Sequence, residues 1–113
     1  MKILVCGGRD YTNERRVFEV LGRYLDDVDV IIHGRANGAD SIANCWALLH
    51  NILVKAYPAD WGRFGRAAGP KRNKQMLDEG KPDLVIAFPG GKGTANMISQ
   101  SKKHHIKVIE IEE

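Results

Sequence analysis

The chain has no uninterrupted apolar stretch near the ~20 residues that a membrane-crossing helix needs, and Met1-Lys2 runs into a short strand-like segment, not a secretory leader. A membrane protein is excluded on this reading, and a cytoplasmic location is expected. Cysteine is scarce: Cys6 and Cys45 lie inside apolar patterns, without the paired spacing of a disulfide framework or a metal centre. Both read as buried thiols. His33, His50, His104 and His105 show no ligand spacing with cysteine or carboxylate, so neither a metal nor a cofactor is expected. The adjacent His104-His105 pair reads as the decoration of a helix end. Aromatic residues are sparse, and the formal charge of +3 is too small to mark a nucleic-acid binder by itself.

What is present suits one compact domain spanning residues 1–113, with 43% hydrophobic content and enough core to bury ~60% of its unfolded surface. Short β-branched runs alternate with longer helical stretches. The strands are predicted at Lys2–Cys6, Asp29–His33, Ile52–Tyr57, Asp83–Phe88 and Lys107–Ile111, most of them apolar on both faces. A first helix over Asn13–Asp26 places Val17, Phe18, Leu21, Tyr24 and Leu25 on one face, and a second over Asp40–Asn51 does so with Ile42, Cys45, Trp46 and Leu49. A third is expected from about Pro70 to Gly80, and a fourth after Thr94. Right-handed crossovers then predict an α/β, Rossmann-like doubly wound domain: mostly parallel strands in the order 3-2-1-4-5, with helices on both faces.

In such a sheet a ligand binds beyond the carboxyl ends of the strands, where the winding reverses. The loop after strand one, Gly7-Gly8-Arg9-Asp10-Tyr11-Thr12, and that after strand four, Pro89-Gly90-Gly91-Lys92-Gly93-Thr94, would be neighbours there. A third loop, His33 to Asp40 with Gly34, Asn37 and Gly38, lies on the same edge. One glycine-rich loop reads as a tight turn, but three on one edge point to a backbone that a phosphate approaches closely, beside helix N-termini. Thr94 reads as an N-cap whose hydroxyl can also meet a phosphate, and Lys92 adds charge.

Asp40 reads either as an N-cap or as a ligand-binding carboxylate, and Asp10 as a holder of Arg9 or an acceptor from a ribose hydroxyl or a base. The long irregular stretch Pro58–Gly69 holds Trp61, which either stacks on a base or anchors its own loop. Positive charge gathers at Arg63, Arg66, Lys71, Arg72 and Lys74. Arg72 and Asn73 are read as opening the third helix, where an arginine opposes the helix dipole and a nearby anion would rationalise it. Replacing Arg72 is accordingly expected to weaken an anionic ligand without a comparable loss of melting temperature.

GGRDY at Gly7–Tyr11, HGRANGAD at His33–Asp40, ADW at Ala59–Trp61, AGPKRNKQML at Ala68–Leu77 and PGGKGT at Pro89–Thr94 together resemble the SLOG superfamily, named for DprA and the Lonely Guy proteins, and its small YspA/YpsA-related branch. The resemblance covers essentially the whole chain. It implies a Rossmann-like fold that binds or senses a nucleotide or nucleotide-derived ligand, and a homo-oligomer, a dimer in many relatives. It also implies two alternatives, a Lonely Guy-like hydrolase of the N-glycosidic bond in nucleoside monophosphates and a nucleic-acid-binding module. Arg72 and Met76 match half of the Lonely Guy motif, but Ala95, Asn96 and Met97 follow Thr94 where those enzymes keep a glutamate, so no catalytic residue is expected.

Overall fold

Runs such as Lys2–Cys6 and Leu84–Ala87 are apolar at nearly every position, and a strand buries both faces only inside a sheet covered on each side. The computed structural model, which describes Met1–Glu113, builds that sheet. Its strands are β1 (Lys2–Cys6), β2 (Val30–His33), β3 (Leu53–Ala56), β4 (Leu84–Ala87) and β5 (Lys107–Glu110), all parallel, in the expected order β3-β2-β1-β4-β5. The register sets Ile3 opposite both Ile31 and Leu84. The connecting helices are α1 (Glu14–Gly22), α2 (Ala39–Leu49), the single turn α3 (Trp61–Phe64), α4 (Ala68–Gln75) and α5 (Lys92–Lys103).

Side chains alternate across the sheet, so each strand feeds two cores. Ile3, Val5, Ile31, Leu84 and Ile86 pack on Val17, Val20 and Leu21 of α1 and on Ala39, Ala43, Trp46 and Ala47 of α2. Leu4, Cys6, Val30, Ile32, Val85 and Ala87 face the other way, against Met97 of α5 and Met76 and Leu77 of the π-helical turn that continues α4 to Gly80. Helices therefore cover both faces, as doubly wound topology requires. The edge strands β3 and β5 are the least covered, and they carry Lys55, Lys107 and Glu110 where the central strands run apolar.

The structure differs from the expected elements in several places. Helix α1 stops at Gly22 instead of Asp26, and Leu25 lies exposed in the turns beyond it. In α2 the buried stripe runs through small residues, Ala39, Ala43 and Ala47, beside Trp46, whereas Ile42 is only partly buried and Leu49 exposed. Alanines let that helix sit close to the sheet, and a search for large apolar side chains passes over them. Cys45 consequently points outward and is exposed, not buried. The stretch Pro58–Gly69 is not irregular throughout, since α3 and a 3₁₀ turn at Gly65–Ala67 lead directly into α4. Pro70 is the third residue of α4, still within the first turn, where the missing N–H has no intrahelical partner to lose.

Candidate functional site

The loops after β1, β2 and β4 meet at Gly8. Its N–H donates to the Pro89 carbonyl at 2.9 Å, and its own carbonyl accepts from Ala39 at 3.3 Å. A Cβ on Gly90 would lie 2.7 Å from the Gly8 nitrogen, and one on Gly38 would lie 2.1 Å from the Gly8 oxygen. These glycines are needed so that three loops can touch. Helix α5 starts sooner than expected: Gly91 is its N-cap, no side chain caps it, and Thr94 is a buried third residue instead of the cap. The first N–H groups of α5 are thus left for water or a ligand.

Asp40 is likewise not an N-cap. That position belongs to Gly38, and Asp40 is the second residue of α2, where its Oδ2 accepts from the Gly34 N–H at 2.9 Å and the Ala36 N–H at 3.3 Å. The carboxylate ties the preceding loop back onto the helix. Burial raises its pKa, and the two N–H groups and the charge of Arg72 partly oppose that rise. His33 beneath the loop is fully used: Nδ1 accepts from the Arg35 N–H at 2.9 Å, which leaves Nε2 to donate to Asn44 Oδ1 at 3.0 Å.

Arg72 lies a turn inside α4, not at its N-terminus, so the helix dipole does not explain it. Its Nη1 donates to the carbonyls of Gly34 and, at 3.4 Å, Tyr57, while Nε donates to Asn73 Oδ1 at 3.0 Å. Asn73 passes the chain on to the Gly93 carbonyl at 3.2 Å and to Asn96 Oδ1 at 3.0 Å, which also accepts from Gln100. Burial lowers the Arg72 pKa, and the negative charge of Asp40 works against that. Gly34 is glycine for the same reason, since its Cβ would sit 2.2 Å from Arg72 Nη1. Arg72→Ala therefore leaves loop carbonyls short of a donor. We expect it to cost about 1–3 kcal/mol of stability as well as weakening an anionic ligand, and calorimetric melting checks the first effect. Unchanged melting would show that these hydrogen bonds carry no net stability.

Above the carboxyl ends of β1 and β4 opens a cleft of about 390 Å³. Gly7, Gly8, Arg9 and Asp10 form one wall and Gly91, Gly93 and Thr94 another, with Asp40, Arg72, Asn73 and Trp61 completing it. A second lobe of about 310 Å³ adjoins it through the shared side chains of Arg9, Trp61 and Arg72, and Gly34 and Asn37 face that lobe. Gly38 and Gly90 line neither lobe; their role is the loop contact at Gly8. The Arg9 guanidinium sits 5.2 Å from the centre of the Trp61 ring, at the junction of the lobes.

Sequence reasoning did not anticipate Cys6 and Met76 in the floor, Gly69, or Ala36, Arg35 and Pro58. Gly69 carried a readable signal as a small residue beside an aromatic loop: its Cβ would meet the Trp61 ring at 3.3 Å. Cys6, the last residue of β1, read only as core, and burial does push its thiol pKa up.

A domain with this strand order and a glycine-walled cleft at its switch point belongs to the Rossmann-like α/β class. The chain is a member of the YspA, cpYpsA-related SLOG family, whose model matches residues 1–64. It is 33% identical over 118 residues to the Gene 61 protein of Mycobacterium phage D29, covering 96% of this chain and 94% of that one. Among solved structures it superposes on DNA processing protein A (DprA) from Streptococcus pneumoniae with a TM-score of 0.82 at 18% identity, over 99% of this chain but 50% of that one. The C-terminal domain of the PF1911 hydrogenase from Pyrococcus furiosus matches with a TM-score of 0.59 at 15% identity, over 97% of this chain and 90% of that one. No helix is long and apolar enough to cross a membrane.

Proposed function

We propose that the chain binds or senses a nucleotide or a nucleotide-derived small molecule in this cleft. The observation that carries the reading is that Gly91 and Gly93 line the cleft while a Cβ on either would meet nothing within 4 Å. The fold has no steric need for glycine there, but a phosphate drawn against the N–H groups of α5 would. Arg9, Arg72 and Lys92 supply positive charge around that position, and Trp61, 48% exposed, offers a face to a base. A homodimer belongs to the same proposal, supported by the exposed Leu48, Leu49 and Leu53 beside the β3 edge.

A thermal-shift screen over mononucleotides, dinucleotides and cyclic ADP-ribose-type compounds tests the proposal, because a ligand at ~100 times its Kd adds ~2.7 kcal/mol to the native state. No shift with any of them would sink it. Hydrolysis of the N-glycosidic bond is not supported: Asn96 is engaged by Asn73 and Gln100, and Met97 is fully buried in the core. Chromatography of nucleoside monophosphates incubated with the protein should accordingly show no free base above background, and a rate abolished by Asp10→Asn would reverse that view.

A second reading, single-stranded nucleic acid, is favoured by one feature. The Phe64 ring, 38% exposed, has Arg63 and Lys71 each 4.9 Å from its centre, so cations and exposed aromatics alternate along the α3 turn. Oligonucleotide affinity falling steeply with added salt, with no response to mononucleotides, would select it over the first.

A further inference from the structure

Asp40 is 5% exposed, and its two carboxylate oxygens are used differently. Oδ2 takes both loop N–H groups, from Gly34 and Ala36. Oδ1 accepts nothing from the protein, and since no fully buried side-chain polar atom in the chain lacks a partner, Oδ1 keeps some exposure on a residue that lines the cleft. Holding the loop needs one oxygen, which an asparagine supplies without burying a charge. The second oxygen is an acceptor that the fold leaves over for water or a ligand.

The strand order says which part of a ligand would lie above it. Trp61 follows β3 and the glycine wall Gly91–Thr94 follows β4, with the loops after β2 and β1 between them. At ~4.8 Å per strand the two ends of this row are ~14 Å apart. Asp40 opens α2 directly after the β2 loop, inside that interval. A nucleotide with its phosphate on α5 and its base at Trp61 sets its sugar over Asp40, and the donors of that sugar are hydroxyls. Asp10, by contrast, is exposed at the rim.

We infer that Asp40 Oδ1 accepts a hydrogen bond from a ribose hydroxyl, so that the site selects ribonucleotides over their deoxy counterparts. This rests on the nucleotide reading above. The test is titration calorimetry of the wild type and Asp40→Asn with 5′-ribonucleoside mono- and diphosphates of the common bases and their 2′-deoxy and 3′-deoxy forms. Asparagine keeps an oxygen toward Gly34 and Ala36, turns an amide N–H toward the cleft and removes a buried charge, so the variant should melt no lower than wild type at neutral pH.

The ribonucleotide that binds most tightly should do so about 10-fold or more better than one of its deoxy forms, the worth of a hydrogen bond to a charged group. Asp40→Asn should erase that preference. Equal affinity of ribo and deoxy forms in the wild type, which needs no variant, overturns the inference while leaving nucleotide binding standing, and so does a preference that survives in Asp40→Asn. If no ribonucleotide binds, the inference falls, and the nucleotide reading falls with it only when the dinucleotides and cyclic ADP-ribose-type compounds of the thermal-shift screen also give no shift.

Discussion

Gly38→Ala is expected to destabilise the fold by about 3 kcal/mol or more, the sum of two penalties. The backbone at Gly38 has φ +75° and ψ −128°, a region that side-chain-bearing residues reach only at ~1–3 kcal/mol. The added Cβ would also lie 2.1 Å from the Gly8 carbonyl oxygen and 2.7 Å from Arg9 backbone atoms. Those neighbours are main chain, already held by the Gly8 hydrogen bonds to Pro89 and Ala39, so they cannot step aside as a flexible side chain would. Overpacking of this kind adds ~1–3 kcal/mol. At ~4 °C per kcal/mol for a domain of this size, the melting temperature should fall by ~12 °C in a calorimetric scan. Gly22→Ala is the control, since its Cβ meets nothing within 4 Å and a helical alanine is favoured over glycine by ~1 kcal/mol. A Gly38 variant that melts with the wild type would mean that the three-loop junction is soft.

Strand order was legible because it follows from handedness and from which strands are apolar on both faces: β1, β2 and β4 each show a run that only a central position explains. Strand limits differ by about a residue, since flanking groups continue the ladder, as where Tyr57 donates to His33 and Phe88 to Cys6. Helix starts were harder to read. Thr94 and Asp40 are residue types that favour N-caps, yet Gly91 and Gly38 take those positions, Gly38 because its backbone turns against Gly8 and Arg9, Gly91 without any neighbour that a Cβ would meet. Propensity weighs one residue at a time, and at Gly38 tertiary contact decided the helix start.

At the site, glycine enrichment on one edge correctly brought three loops together, but it did not separate two kinds of glycine. Gly34, Gly38 and Gly90 are small because Arg72, Gly8 and Thr94 press on them. Gly91 and Gly93 have no such neighbours. The distinction is one of contacts across the fold, which spacing in a sequence does not carry. Arg72 shows the same limit: its charge was readable, whereas its attachment to Gly34 and Tyr57, both distant along the chain, was not.

That difference between glycines sets up the opposite result to Gly38→Ala: Gly91→Val and Gly93→Val should leave the fold intact and abolish ligand binding. Neither residue has a positive φ, and neither Cβ would meet another atom within 4 Å. At Gly93, the second residue of α5, valine is if anything a better helix former than glycine, so melting should change by no more than ~1 kcal/mol. The branched side chain would instead stand in the cleft, over the N–H groups that begin α5, and keep a phosphate from reaching them. Losing two hydrogen bonds to a charged group, at ~1.5–3 kcal/mol each, weakens binding by ~100-fold or more. Alanine at the same positions, being smaller, should fall between wild type and valine. The measurement is calorimetric titration with whichever nucleotide raises the wild-type melting temperature most, beside a melting scan of each variant. Should folded Gly91→Val and Gly93→Val both bind that nucleotide as the wild type does, the Pro89–Thr94 loop is not where its phosphate rests, and the proposed site would have to move to the adjoining lobe lined by Arg9, Arg35 and Arg72.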